Sequence, residues 1–410
     1  MTVKKRHVYY ISGFDPRGAA FYRRLYQTEA AKQSAVGGIT LQIGARRRVT
    51  SFASSWSIQA HIDGQAVLTT YEYLQWDDLI RAHWSRNEVA ILRNYLKAAW
   101  IYLRSGTLER ILQASWPPFV TSLFPLAILL ALIALASGGM LACVRLLSGW
   151  AGWLAGAVCF AGVLQAGRVL EKRMNSYWLL RIYAFSAQQG LGQLSDLEAR
   201  LDKFAEHIVS QINAAVKAGD IPDEILIVGH STGTIMASSV VGRVLVLLKT
   251  DLPPDMALNA AANTQQQYRI SLLTLGQCIP IVSMLPQAQR YRDDLARINQ
   301  SGIVDWVDFT APSDGACFAL VDPIGVSGLV QANAHDPKPK LLSPRFARLF
   351  SPASYAGIKR NWYRQHFQYI MASERADEYD YFAITAGAAT LRARHQSQPS
   401  VQHYQRPSPF

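Results

Sequence analysis

The chain has 410 residues, enough to bury a sizeable core in one large domain or two. Half of it is apolar and only 17% is charged, which is lean for a soluble protein. The 41 Lys and Arg against 29 Asp and Glu leave +12, but the excess is spread in short clusters (Lys4-Lys5-Arg6, Arg46-Arg47-Arg48, Lys172-Arg173). No cluster is long enough for a nucleic-acid arm, so no nucleic-acid partner is expected, and anionic lipid head groups are the simpler target. Four scattered cysteines without a CxxC pair or a His/Cys cluster argue against a disulfide framework and against a structural metal.

The N-terminus is basic but runs into Ile11-Ser12-Gly13 rather than a secretory apolar region, so no signal peptide is expected. His7 to Ile11 reads as a short strand ending at Gly13. Residues 39–70 alternate apolar and polar, predicting an antiparallel excursion with a turn near Asp63-Gly64, and Tyr71 to Trp76 reads as another strand. Glu88 to Gln113 reads as a helix. Phe119 to Cys143 is an uncharged run of about 25 residues, and Trp150 to Gly167 a second of about 18, joined by a turn carrying Arg145. Gly152, Ala155, Gly156, Ala157 and Gly162 suit close helix–helix contact, and Trp116, Trp150 and Trp153 fall near the ends, as in an aromatic belt. A transmembrane helical hairpin is expected. Arg104 and Arg110 before it, and Arg168, Lys172, Arg173 and Arg181 after it, place both termini in the cytoplasm, with the chain held in the cell inner membrane.

After the hairpin, Ser195 to Lys217 is predicted to be an amphipathic helix capped by Ser195 with Glu198 three residues on. Strands follow at Ile225 to Val228, Ile270 to Leu275 and Ile303 to Phe309, with a helix from Thr232 to Lys249. Strands alternating with helices imply an α/β fold with a mostly parallel sheet flanked by helices. The chain divides into residues 1–115 and 171–391, forming one catalytic domain, the hairpin at 116–170, and a Gln/Ser/Pro-rich tail at 392–410 expected to be disordered.

Gly229-His230-Ser231-Thr232-Gly233 fits G-x-S-x-G, with an apolar strand running into it and a small-residue helix leaving it. That is the strand–turn–helix setting of a nucleophile elbow; an ordinary β–α turn with a capping serine is the alternative. On these residues the chain resembles the α/β-hydrolase superfamily, in particular its lipases and esterases. The resemblance implies a triad in the order nucleophile, acid, histidine. Asp314, in the turn after the strand ending at Phe309, is the acid it favours, with Asp308 and Asp322 as competitors. His366, in the aromatic stretch Trp362 to Tyr369, is the favoured base over His335, although only a weak strand near Lys338 to Leu342 precedes it. An oxyanion hole would use the backbone N–H of Thr232 and, by resemblance, that of Phe14 in the loop after the first strand. The function so implied is a serine carboxylic-ester hydrolase without cofactor, acting on a lipid or apolar acyl ester at the membrane. A non-catalytic membrane scaffold on the same fold is the rival.

Overall fold

A computed structural model describes residues 2–62, 64–174, 176–250 and 269–401. In chain order the elements are β1 (Lys5–Ile11), α1 (Ala19–Gly37), β2 (Thr40–Ile43), β3 (Arg47–Thr50), β4 (Ala53–Ile62), β5 (Gln65–Leu74) and α2 (Asp77–Ala82). Then come α3 (Glu88–Arg104), α4 (Thr107–Ala114), α5 (Trp116–Leu146), α6 (Trp150–Met174), α7 (Ser176–Gly190) and α8 (Ser195–Ala218). The remainder is β6 (Glu224–His230), α9 (Gly233–Thr250), β7 (Ile270–Leu275), α10 (Ile279–Ser283), α11 (Gln289–Gln300), β8 (Val304–Phe309) and β9 (Lys340–Leu342). It closes with α12 (Phe346–Leu349), α13 (Pro352–Arg360), α14 (Trp362–Phe367), α15 (Tyr381–Ala386) and α16 (Leu391–His395). Two compact units result, one formed by residues 1–83 and 189–410, the other by Trp84–Gln188.

The first unit is a mixed α/β structure on a nine-stranded sheet, in the order β2-β4-β5-β1-β6-β7-β8-β9 with β3 on β4. Pairing is parallel from β5 through β9 and antiparallel among β2 to β5, so the expected mostly parallel sheet with an antiparallel excursion holds. Alternation along β4 leaves one side chain in two toward solvent, whereas every residue of β6, EILIVGH, is buried. Central strands covered on both faces need such uninterrupted apolar runs. Of the predicted strand Tyr71 to Trp76, the part to Leu74 is the end of the longer β5 while Trp76 caps α2, and the 63–64 turn involves Asp63, which lies outside the described residues.

Three expectations are corrected in this unit. Ser195 does not cap α8; Leu194 holds that position without a side-chain bond, and the Glu198 carboxylate pairs with Arg243 instead of reaching back. The basic cluster at Lys4-Lys5-Arg6 does not present three free cations, since only Lys4 is exposed. Arg6 is buried in an ion pair with Glu224 at 2.7 Å and donates to the carbonyls of Gly387 and Ala389, while Lys5 pairs with Asp220. Finally, residues 392–401 of the predicted tail are ordered. Most of α16 falls there, His395 is buried with its ring edge on Phe309, Glu224 accepts from the Leu391 amide, and Val401 and Ser400 bond Leu341. The segment thus covers the edge strand β9, which would otherwise offer unpaired backbone groups. Residues 402–410 lie outside those described.

In the second unit, the single predicted helix from Glu88 to Gln113 is two. Ser105 closes α3, and Gly106 at φ +69° turns the chain into α4. Helices α5 and α6 are long and apolar enough to cross a membrane, with mean hydropathy 2.5 and 1.5 over their most apolar windows. Only 17% and 11% of those windows are buried, unlike a hairpin in a soluble core. Small residues sit at the contact as expected: a methyl group on Gly156 would lie 3.0 Å from the Met140 carbonyl, and one on Gly139 2.8 Å from Cys159 Sγ. Gly162, facing open space, and the exposed Ala157 are the exceptions. The side chains of Lys172 and Arg173, named above as a flank, are outside the described set.

Candidate active site

From β1 the chain builds the sheet outward to β5, β4 and β2; from β6 it builds the other way through β7, β8 and β9. The strand order therefore reverses between β1 and β6, and in open α/β sheets ligands bind at the carboxyl ends of strands at such a switch point. The loops leaving β1, β6, β7 and β8 at that edge carry the residues below.

Ser231 follows β6 at once and stands at φ +59°, a conformation that costs a non-glycine residue. It is held there by its own N–H, which donates to Leu275 O at 2.8 Å, and by its carbonyl, which accepts from the Thr234 amide and hydroxyl at 3.0 and 2.6 Å. Gly233 is required by close approach. A Cβ there would stand 2.4 Å from Ile11 O and 2.5 Å from Ser12 O, so any side chain would push α9 off β1. Gly13 plays the same part from the facing loop, where a Cβ would meet Ser231 Cβ at 2.8 Å and Oγ at 3.2 Å. The loop over Ser231 is fixed in turn: Trp76 Nε1 donates to Ser12 O at 2.9 Å, and the Ser12 and Tyr73 hydroxyls bond at 2.8 Å. Phe14, next in line, is buried with its ring on Trp76.

Asp314 and His366, 52 residues apart in sequence, meet at 2.8 Å between Oδ2 and Nδ1. Burial by itself would raise the Asp314 carboxyl. The His366 charge and hydrogen bond, with those of the Ala316 amide and the Tyr369 hydroxyl, outweigh it and hold the group below its ordinary value. His366 lies inside α14 rather than in a loop ahead of a helix. It packs on His230, the residue before Ser231, with ring centroids 5.1 Å apart. All three groups are sealed from water, Ser231 at 4%, Asp314 at 3% and His366 at 1% exposure.

The rival residues are elsewhere or otherwise engaged. His335 is exposed, its amide bonded to Asn333 Oδ1. Asp322 shapes a turn, accepting from the Ile324 amide and Gln331. Asp308 is fully buried within β8, accepting from Thr274 Oγ1 at 2.6 Å and Thr310 Oγ1 at 3.4 Å. Burial raises its pKa to about 8 despite those bonds. The folded chain therefore keeps a proton there that the unfolded chain releases near pH 4, so this stabilisation is complete below about 4 and is lost as pH rises through about 8. Melting of the purified protein should show a decline between about pH 4 and 8 that Asp308→Asn flattens. An equal decline in both proteins would exclude Asp308 as its source.

Four contributors went unseen in the sequence. His230 Nε2 bonds the His366 carbonyl at 2.8 Å, and burial, with the nearby His366 charge, drops its pKa to about 3, so it is a neutral donor that seats α14. The Tyr369 hydroxyl donates to Asp314 Oδ2 at 3.1 Å and accepts from the Ala311 amide. The buried Cys278 thiol donates to Ala316 O at 3.4 Å, beside Asp314, and burial pushes its pKa up, so it stays neutral. Arg17 grips Asp15 by two nitrogens at 2.6 to 2.9 Å and lies 5.3 Å from the Phe367 ring, joining the β1 loop to the helix of His366. Tyr369 stood in the aromatic stretch already singled out, and His230 in the motif itself; nothing local marked Cys278 or Arg17.

Among the described residues, no cluster of three or more His, Cys, Asp or Glu could hold a metal ion. Comparison with family models, curated proteins and solved structures finds no match for this chain.

Proposed function

We propose that this chain is a serine hydrolase of the α/β-hydrolase kind, held to the membrane by α5 and α6, that cleaves acyl esters of lipid or similarly apolar substrates. The observation that carries the proposal is a serine at φ +59° on a strand–helix turn, at the same sheet edge as a buried Asp–His pair 2.8 Å apart.

In this mechanism His366 Nε2 takes the proton of the Ser231 hydroxyl as Oγ attacks the ester carbonyl. Asp314 holds the Nδ1 proton, fixing the tautomer and stabilising the imidazolium. The backbone N–H groups of Thr232 and Phe14 face the developing oxyanion, and the N-terminus of α9 adds a favourable dipole. His366 then protonates the leaving alcohol, and water, activated by the same imidazole, hydrolyses the acyl-enzyme. These steps use only groups of this chain. The basic flanks of the hairpin favour the cytoplasmic side of the inner membrane for both termini and the catalytic unit.

The substrate reading rests on the apolar hairpin and the sealed site, which favour a substrate delivered from lipid. Turnover of p-nitrophenyl esters by the purified protein should rise with acyl length. Activity confined to peptides would contradict the ester reading, and activity absent from every substrate would favour a non-catalytic scaffold.

A further inference from the structure

Helix α3 is apolar on two opposite faces. One face, with Ile91, Tyr95, Ala98 and Tyr102, is buried in its own unit: the Tyr95 hydroxyl donates to Ser122 O at 2.5 Å, and Tyr102 meets Tyr183 edge to face. The other carries Val89, Leu96, Trp100 and Leu103 at helical spacing, exposed by 76%, 45%, 60% and 59%. A helix on a water-facing surface turns polar residues outward, so this stripe calls for a second apolar environment. Along one edge of it run Arg93, Lys97 and Arg104, all exposed. An apolar stripe edged by cations is the pattern of a helix lying in a lipid interface.

The position of α3 on the hairpin agrees. Glu88, its first residue, pairs with Arg168 at 3.3 Å, where charge returns to α6 after its apolar stretch. Tyr95 reaches Ser122, in the second turn of α5. Both tethers lie at the open end of the hairpin, at the level where hydrocarbon gives way to head groups. Trp100 is the residue type enriched there. The stripe continues toward the hairpin through the exposed Leu112 of α4 and Trp116.

We propose that α3 lies in the plane of the membrane, its Val89–Leu96–Trp100–Leu103 face sunk among acyl chains and its basic edge on anionic lipid head groups. The hairpin would then be flanked by an in-plane anchor fitted to a negatively charged leaflet. This rests on the proposed insertion of α5 and α6, and the test separates the two.

Spin labels would be placed at Leu103→Cys, at Ile133→Cys in α5 and at the 87%-exposed Val330→Cys, in the full chain with Cys143 and Cys159 replaced by Ala. Cys278 and Cys317 are buried and stay unlabelled. Collision with oxygen and with a water-soluble nickel chelate would be read in vesicles of phosphatidylcholine and phosphatidylglycerol at roughly 3:1. The expected result is a label at 103 that meets oxygen freely and nickel roughly tenfold less than the label at 330, at a depth of about 5–10 Å, with 133 deeper still. Replacing Arg93, Lys97 and Arg104 together by Gln should raise the nickel collision at 103 severalfold; no change would overturn the role given to anionic lipid. A label at 103 open to nickel while 133 is deep in the bilayer overturns the in-plane anchor and leaves the hairpin standing. A label at 103 shielded from both reagents means that protein, such as a second copy, covers the face, and overturns it too. If 133 itself meets nickel, the membrane reading fails and this inference with it.

Discussion

Replacing Ser231 with alanine should lower ester turnover by about 10⁶-fold, to the level set by binding and the oxyanion groups alone. The fold should survive. The strained turn is held by the backbone bond to Leu275 and by the Thr234 amide and hydroxyl on the Ser231 carbonyl, all of which alanine keeps. Thermal midpoint and turnover, measured on the same preparation, should therefore part company: a shift worth about 1 kcal/mol or less beside a near-total loss of rate. Full turnover by the alanine protein would end the hydrolase reading and leave the scaffold in its place.

The second large effect is expected at the Asp–His pair. Asp314→Asn should lower kcat/KM by about 10⁴-fold, because an amide nitrogen facing Nδ1 favours the wrong tautomer of His366. Its oxygen can still accept from the Ala316 amide or the Tyr369 hydroxyl, so folding should hold. His366→Ala should be as severe as the loss of the nucleophile. The controls are His335→Ala, exposed in its loop, and Asp308→Asn, enclosed in β8 by two threonine hydroxyls; both should leave kcat/KM within a few-fold. If Asp308→Asn or His335→Ala proves the silencing change, the assignment of acid or base is wrong although the nucleophile stands.

What could be seen in the sequence follows from how far apart the cooperating residues lie. The strand Ile225 to Val228, the motif Gly229 to Gly233 and the helix after it form one contiguous pattern, and a mostly parallel sheet with an antiparallel excursion was legible from alternation and apolar runs, though not its strand order. Asp314 and His366 were legible only through the order of a triad, since neither local context singles out one carboxylate or one histidine. The His230 bond to the His366 carbonyl spans 136 residues and leaves no local trace. The errors have the same origin. Ser195 with Glu198 is a sound local capping signal, but Arg243 offers Glu198 a better partner from α9. The polar composition of residues 392–401 reads as disorder, yet Leu391 is buried and Glu224, Phe309 and Leu341 hold the segment to the sheet. Arg6 looks like part of a basic patch until the register of β1 against β6 sets it opposite Glu224. In each case a long-range partner overrides a short-range preference, which only the assembled sheet can reveal.

The most direct measurement of the central claim is the site of covalent capture. A fluorophosphonate reacts with a serine only where a base activates the hydroxyl and donors stabilise the charged phosphonyl oxygen, so it reports the whole constellation at once. After incubation of the full-length protein with the probe, peptide mass spectrometry should find one adduct, on Ser231, that is lost in the His366→Ala protein. An unmodified Ser231, or an adduct that His366→Ala leaves undiminished, would contradict the account.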